Sequence, residues 1–255
     1  MKNIWFITKK ELGLYFGSPV GYVVFAIFLF VWGYFFTGIL RWFNDQALQM
    51  AQNPYYAQQI NINQVVFSST FHNITIFFLL LLPALTMRLF AEEKKLGTEE
   101  LLYTSPITAS QILLGKYLAS LIMLAVMLVL SAVACLFTFF YGNPEVAPLL
   151  LGYLGLFLIG AAFMAVGLFF SSLSENQVVA VILAMGANLL IYILSWSAYS
   201  ASGIRASVLN YLSFLQHFDE LVRGILDTKD IVYFLSFSFF WLFLTHSWIQ
   251  SRRWR

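Results

Sequence analysis

The sequence predicts an all-α membrane protein with six transmembrane helices. Three observations lead there. Sixty per cent of the 255 residues are hydrophobic and 10% are charged, against about 25% charged in an ordinary soluble domain. Six apolar stretches each come near the ~20 residues that a helix needs to cross a bilayer. Lys and Arg are shared unequally between the two sets of connecting segments. One polytopic domain, residues 1–255, is the simplest organisation.

Composition also excludes classes of function. A net charge of +2 is too small to point to nucleic acid. Cys135 is the only cysteine and lies in an apolar span, so neither a disulfide framework nor a Cys-rich metal site is expected. No Gly-x-x-x-x-Gly-Lys-Ser/Thr string occurs; Gly115-Lys116 is followed by Tyr117 and has no glycine five positions before it. The chain is therefore not expected to bind or hydrolyse a nucleotide by that route. No His or carboxylate pair has metal-ligand spacing.

Taken in order, residues 2–17 read as a helix lying on the membrane. Lys2, Asn3, Lys9, Lys10 and Gly13 share one side, with Phe6 intruding, and Ile4, Trp5, Leu12, Tyr15 and Phe16 lie opposite. Gly17-Ser18-Pro19 turns the chain into the bilayer, and no small-residue cleavage site follows. The spans fall at about 21–40, 67–87, 112–140, 149–170, 178–196 and 231–249. Pro83 predicts a kink in the second. The third is longer than a bilayer requires, so it tilts or projects. In the fourth, Gly152, Gly155, Gly160, Ala161, Ala165 and Gly167 form a small-residue series suited to close helix packing.

Of the fourteen Lys and Arg, ten fall on the side of the N-terminus (Lys2, Lys9, Lys10, Arg88, Lys94, Lys95, Lys116, Arg252, Arg253, Arg255) and four on the other (Arg41, Arg205, Arg223, Lys229). The positive-inside rule then puts both termini and the 88–111 segment in the cytoplasm. Outside, 41–66 is rich in Gln and Asn and reads as a short helix or a loop. Segment 197–230 is too apolar for a free loop, with Val208, Leu209, Leu212, Phe214, Leu215, Phe218, Leu221, Val222, Ile225 and Leu226. It reads as one or two amphipathic helices set into the outer leaflet before the last span.

The polar run RLFAEEKKLGTEELLYTSPITASQILLGK, residues 88–116, has a readable grammar. Gly97 ends the preceding helix. Thr98 is a good N-cap, and Glu99 and Glu100 sit in a first turn where the helix dipole favours carboxylates. Leu101, Leu102 and Tyr103 form an apolar tip. Ser105-Pro106 stops this short helix, because the proline excludes Ser105 from the α region. Thr108 and Gln111 have capping-box spacing and start the next helix. An acidic rim around an exposed Leu-Leu-Tyr tip suits docking onto another protein.

The string TMRLFAEEKKLGTEELLYTSPIT, followed by ILLGKY, resembles the first cytoplasmic loop of type-2 ATP-binding-cassette (ABC) exporter permeases. It is most similar to the subfamily associated with bacterial gliding motility. QHFDELVRGILDTKDIVYF and SSLSENQ (171–177) resemble the same subfamily, and the matched pieces cover most of the chain; 41–66 is the least diagnostic. The resemblance implies a type-2 exporter fold, with an interfacial elbow helix and re-entrant helices before the sixth span. It implies a multi-pass protein of the bacterial cytoplasmic membrane, paired with a second permease subunit, identical or related, and with ABC ATPase subunits that carry the ATP and Mg. The short helix would be the coupling helix, so Glu92, Glu93, Gly97, Thr98, Glu99, Glu100, Leu101, Leu102, Tyr103, Ser105 and Pro106 are the expected ATPase-coupling residues. Ser174, Glu175, Asn176 and Gln177 would make a second, smaller contact.

Four deep polar residues are candidates for a pathway or an interface. His72, Asn73 and Thr75 in the second span either line a pathway or satisfy one another or a neighbouring helix. Asn188 in the fifth span faces either a dimer interface or a translocation path. His246 reads as an interface histidine. Asp219, Glu220, Arg223 and Asp227 read as a solvated outer face, with binding of a protein that has an extracytoplasmic domain as the alternative. A membrane enzyme would need convergent catalytic groups, and a secondary transporter would show inverted repeats or several buried ion pairs; neither is visible. The expected role is the membrane subunit of an ATP-driven exporter. The alternative is an assembly of the same kind that transmits force to extracytoplasmic partners without translocating a substrate.

Overall fold

The computed structural model describes residues 2–52, 61–99, 107–141, 144–200 and 210–253, and every statement below concerns those residues. Nine α-helices follow one another: α1 Lys2–Gly17, α2 Pro19–Gln52, α3 Ser68–Thr86, α4 Arg88–Lys95, α5 Ala109–Tyr141, α6 Val146–Leu173, α7 Gln177–Ser200, α8 Phe214–Val222 and α9 Thr228–Arg253. A single π-helical turn, Asn63–Phe67, leads into α3. No strand occurs among the described residues. Six helices are long and apolar enough to cross a membrane, and the all-helical class with six candidate spans stands as the sequence predicts.

The middle of the bundle is α6, which packs against α3, α5, α7, α8 and α9 and also touches α4. The small-residue series makes this possible. A Cβ built on Gly152 would lie 2.2 Å from the Phe71 ring of α3, one on Gly155 2.9 Å from Phe218 of α8, one on Gly160 2.5 Å from Leu124 of α5, and one on Gly167 2.1 Å from Thr86 Oγ1. Each glycine thus admits a different neighbour to the α6 backbone, and van der Waals packing replaces the hydrophobic drive that a lipid solvent cannot supply. Between α2, α3 and α6, Phe28, Trp32, Phe71, Phe78 and Tyr153 stack into one aromatic core.

Three elements differ from the sequence expectation. Helix α2 runs on to Gln52, so 41–52 continue the first span as helix; its 34 residues give about 51 Å, well beyond a hydrocarbon core of about 30 Å. Helix α8 does form before the last span, but its apolar face is buried in the chain. Phe214, Leu215, Phe218, Leu221 and Val222 are all buried, with Phe214 against Phe163, Tyr233, Phe234 and Phe237. Val208 and Leu209 lie outside the described residues, while Leu212, Ile225 and Leu226 are exposed. Helix α1 has a third face that a two-sided wheel hides. Ile7, Thr8, Glu11 and Tyr15 are buried against the bundle, and Trp5 and Phe6 are exposed together. Pro83 lies inside α3; the helix yields four residues later, at the Met87 turn before α4.

Candidate functional site

Helix α4 and the turn after it carry the first half of the predicted coupling segment, at the end of the bundle that holds both termini. Arg88–Lys95 form α4 because Gly97 then takes a left-handed conformation, φ +68°, and closes the helix. Gly97 N–H donates to Lys94 O at 3.1 Å and Thr98 N–H to Glu93 O at 3.0 Å, the double closure of a Schellman cap. The Thr98 hydroxyl donates backwards, to Glu93 O at 3.3 Å, and the amides that it would accept from as an N-cap lie outside the described residues. Glu99 is half-buried. Glu100, Leu101, Leu102, Tyr103, Ser105 and Pro106 lie outside the described residues. Beyond them the capping box forms as read, with Gln111 N–H donating to Thr108 Oγ1 and Thr108 N–H to Gln111 Oε1, both at 3.3 Å.

What holds α4 in place is a buried ion cluster. Lys116, on α5, is 1% exposed. Its ammonium lies 2.9 Å from Glu11 of α1 and 2.9 Å from Glu93 of α4, and it also donates to Leu89 O. Three donors meet three acceptors, which is the condition for keeping an ammonium out of water. Phe90 lies under it, 5.1 Å from the ring centre. Lys10 extends the cluster to the surface, 3.0 Å from Glu93. Burial opposes the Lys10 charge, but the Glu93 carboxylate outweighs it and holds the Lys10 pKa above its ordinary value. Glu93, expected to face a partner, is therefore turned into the chain; Glu92 is half-buried.

Helix α1 is laid along this cluster by close contacts. Gly115 accommodates Ile7, whose side chain would lie 2.7 Å from a Cβ there. Thr8 Oγ1 donates to Gly115 O at 3.1 Å, and Asn3 Nδ2 to Gln111 Oε1 at 3.2 Å. Tyr15 donates to Leu85 O at 2.7 Å; burial pushes its pKa far up, so it stays a neutral donor. The Arg88 guanidinium sits 4.4 Å from the centre of the same ring.

A second fastening comes from α6. At the break between α3 and α4, the buried Ser171 hydroxyl donates to Met87 O at 2.7 Å and accepts from Phe90 N–H at 3.1 Å and Ala91 N–H at 3.3 Å. One side chain repairs the backbone bonds lost at the turn. Next to it, Ser172 O accepts from Lys94 Nζ and from Trp248 Nε1 of α9. The chain then reaches 174–177, the predicted second contact. There Asn176 Oδ1 caps α7 by accepting from Val178 N–H at 2.9 Å, and Ser174 Oγ bonds both ends of Asn176's backbone at 3.0 Å. Glu175 and Asn176 are exposed, and Ser174 and Gln177 half-buried. Lys94 of the first predicted segment thus bonds a residue two positions before the second. His246 meets Ser110 at 3.1 Å at this same end.

The deep polar residues fall elsewhere. His72 bridges Ser68 O at 2.7 Å and Asp219 at 2.5 Å, and the buried Thr75 donates to His72 O at 2.7 Å; both have partners within the chain. Asn73 is half-exposed. Asn188 is fully buried inside the bundle, and neither atom of its amide has a hydrogen-bond partner. No group of three or more His, Cys, Asp or Glu that could hold a metal occurs among the described residues.

Against this geometry stands one comparison. The family model described as ABC-2 family transporter protein matches residues 5–248. The chain belongs to that family. No curated protein matches it. It is accordingly the membrane subunit of an ABC transporter, and the family works with a separate ABC ATPase. The residues of this permease that sequence reasoning missed are Glu11, Lys116 and Ser171. The signal for the first two was present: one carboxylate on an otherwise basic and apolar helix, and one lysine inside the apolar run that opens α5, each too isolated to be comfortable alone.

Proposed function

We propose that this ABC-2 permease couples ATP-driven closure of its ATPase partner to export, with residues 92–106 as the receiving element and 174–177 as a smaller contact beside it. The observation that carries the reading is the double fastening of α4, to α1 and α5 through the Glu11–Lys116–Glu93 cluster and to α6 through Ser171. A push delivered past Gly97 cannot be absorbed by α4 alone; it is handed to the central helix and to the elbow helix together. The positive-inside asymmetry supports a cytoplasmic position for this end and both termini, and the resemblance to bacterial permeases supports the bacterial cytoplasmic membrane as the location. ATP and Mg belong to the ATPase. Its closed state binds ATP better, and that difference supplies the energy for rigid-body movement of the bundle. Two permease subunits, identical or related, complete the membrane part. The likeness of the 88–116, 171–177 and 216–234 strings to gliding-associated permeases supports placement near that subfamily.

The test is replacement of Leu101 and Leu102 by Asp. Each buried leucine is worth about 1.5–3 kcal/mol, so the double variant should insert normally but lose the ATPase on purification or lose coupled turnover. Glu99→Gln should do less, and its effect should fade in high salt. Retention of the partner with full coupled activity in the double variant would overturn the proposal.

A further inference from the structure

The nine-residue helix α8, at the end of the bundle away from both termini, is fastened by two His–Asp pairs. Asp219 of α8 meets His72 Nε2 of α3 at 2.5 Å. His217 Nδ1 of α8 meets Asp230 of α9 at 2.6 Å. In both imidazoles the other nitrogen faces a main-chain carbonyl: His72 Nδ1 lies 2.7 Å from Ser68 O, and His217 Nε2 lies 2.9 Å from Tyr211 O. A carbonyl only accepts, and so does a carboxylate, so a neutral ring in either tautomer turns a lone pair to one of its two oxygens at hydrogen-bond distance, which is repulsive. Both contacts are satisfied together only with one further proton on the pair. Each pair therefore holds one further proton, as imidazolium with carboxylate or as neutral imidazole with carboxylic acid.

Other charges act on the pairs. Arg223, one turn on along α8, acts on His72, and the Phe218 ring abuts it. Glu220 and Lys229 act on Asp230, and Asp227 lies near His217. Tyr233 of α9 stacks on His217 at 4.2 Å and Tyr211 meets it edge-on. Helices α6 and α7, which also pack on α8, give neither ring a titratable hydrogen-bond partner among the described residues. Asp230 is fully buried and its Oδ2 has no hydrogen-bond partner, so among the described residues His217 is the group that offsets its charge by direct contact.

We propose that α8 is a proton-dependent latch, docked on α3 and α9 while both His–Asp pairs hold their protons and released as pH on that face rises. The sign follows from linkage: the docked state binds more protons than the undocked one, so docking is strongest at low pH and is lost as pH rises through the titration of the pairs. Each proton contributes at most about tenfold in the docking equilibrium per pH unit. In the orientation proposed above this is the extracytoplasmic face, but the latch does not depend on the export reading.

The experiment is hydrogen exchange read by mass spectrometry on the full chain in lipid nanodiscs, both faces bathed in one buffer. Protection factors of α8 amides, corrected for the intrinsic rate, are compared between about pH 5 and about pH 8, where imidazoles ordinarily change charge. Wild type should lose at least about tenfold in α8 protection across that window, with α5 and α6 unchanged. Asp219→Asn with Asp230→Asn supplies amide N–H donors to neutral rings, so its α8 should stay protected at both ends of the window. A flat wild-type profile, a wild-type loss shared equally by α5 and α6, or a double variant that follows the wild-type drop would each overturn the proposal. The wild-type profile decides alone if the double variant does not fold.

Discussion

Removing the Lys116 ammonium should undock the elbow helix. At 2.9 Å from each of two carboxylates, each attraction is worth about 6 kcal/mol at an effective dielectric of about 20. Desolvation of three charged groups returns most of that, at several kcal/mol per ion. The intact cluster therefore contributes little net stability. The broken one is another matter. Lys116→Met leaves Glu11, with a side chain 6% exposed, beside Glu93 with only the more distant Lys10 to answer it, 3.9 Å away. Stranding a buried charge costs about 3–5 kcal/mol, which is two to three and a half powers of ten in the docking equilibrium at about 1.4 kcal/mol each. Docking can be read with cysteines at positions 3 and 111, whose native side chains touch, joined by a short bifunctional thiol reagent in a Cys135→Ala background. Lys116→Met should abolish most of the crosslink and reduce coupled ATPase turnover in the assembled transporter. The neutral triple variant Glu11→Gln, Glu93→Gln, Lys116→Met strands no charge and should recover the crosslink. If Lys116→Met crosslinks and couples like wild type, the cluster does not hold α1 to α4 and the argument is refuted.

Three further outcomes are expected. Ser171→Ala leaves Met87 O and the Phe90 and Ala91 amides without their hydroxyl in a buried place; it should cost about 1–3 kcal/mol, seen as a lower thermal midpoint in detergent and as faster exchange at those two amides. Gly152→Ala drives a methyl to 2.2 Å from Phe71 and should cost about 1–3 kcal/mol, whereas Gly186→Ala, with open space at its Cβ, should leave the midpoint unchanged or raise it. Asn188→Leu removes an amide that is buried with no partner, so thermal stability should hold or rise; loss of transport in that stable variant would assign the amide to the pathway, and a fall in stability would refute the reading that it is unpaired.

Much of the framework is legible because it is local. The Gly97 stop, the Thr108–Gln111 box and the glycine series of the fourth span each state their geometry within one or two helical turns. Length and apolarity fix the spans, since a backbone in lipid has to satisfy itself as helix. What is not legible depends on partners distant in sequence. Lys116 and Glu11 are 105 residues apart, and nothing in either neighbourhood says that the other completes it. Helix α8 reads as membrane-surface helix because its apolar stripe is strong; whether such a stripe meets lipid or protein is decided by Gly155, on another helix, which lets Phe218 approach. Likewise Glu93 sits in an acidic run that looks solvent-facing, and only the arrival of α5 turns it inward.

The two ends of this bundle are fastened by ionisable groups of different kinds, and the difference has a physical sense. At the terminal end the cation is a lysine whose three donors are all used. Such a joint, with every donor satisfied, suits the place where the proposal above puts the ATPase contact. At the far end the carboxylates meet histidines instead, each placed with one nitrogen at a carbonyl and the other at a carboxylate. By the latch proposed above such a joint is conditional, because one proton on each pair is needed to satisfy both contacts of the ring. Ser171 adds a neutral fastening that neither pH nor salt can loosen. Under the two proposals above, a coupling end joined by the central helix α6 to an adjustable far end would let one subunit receive force and release α8 only under a chosen condition.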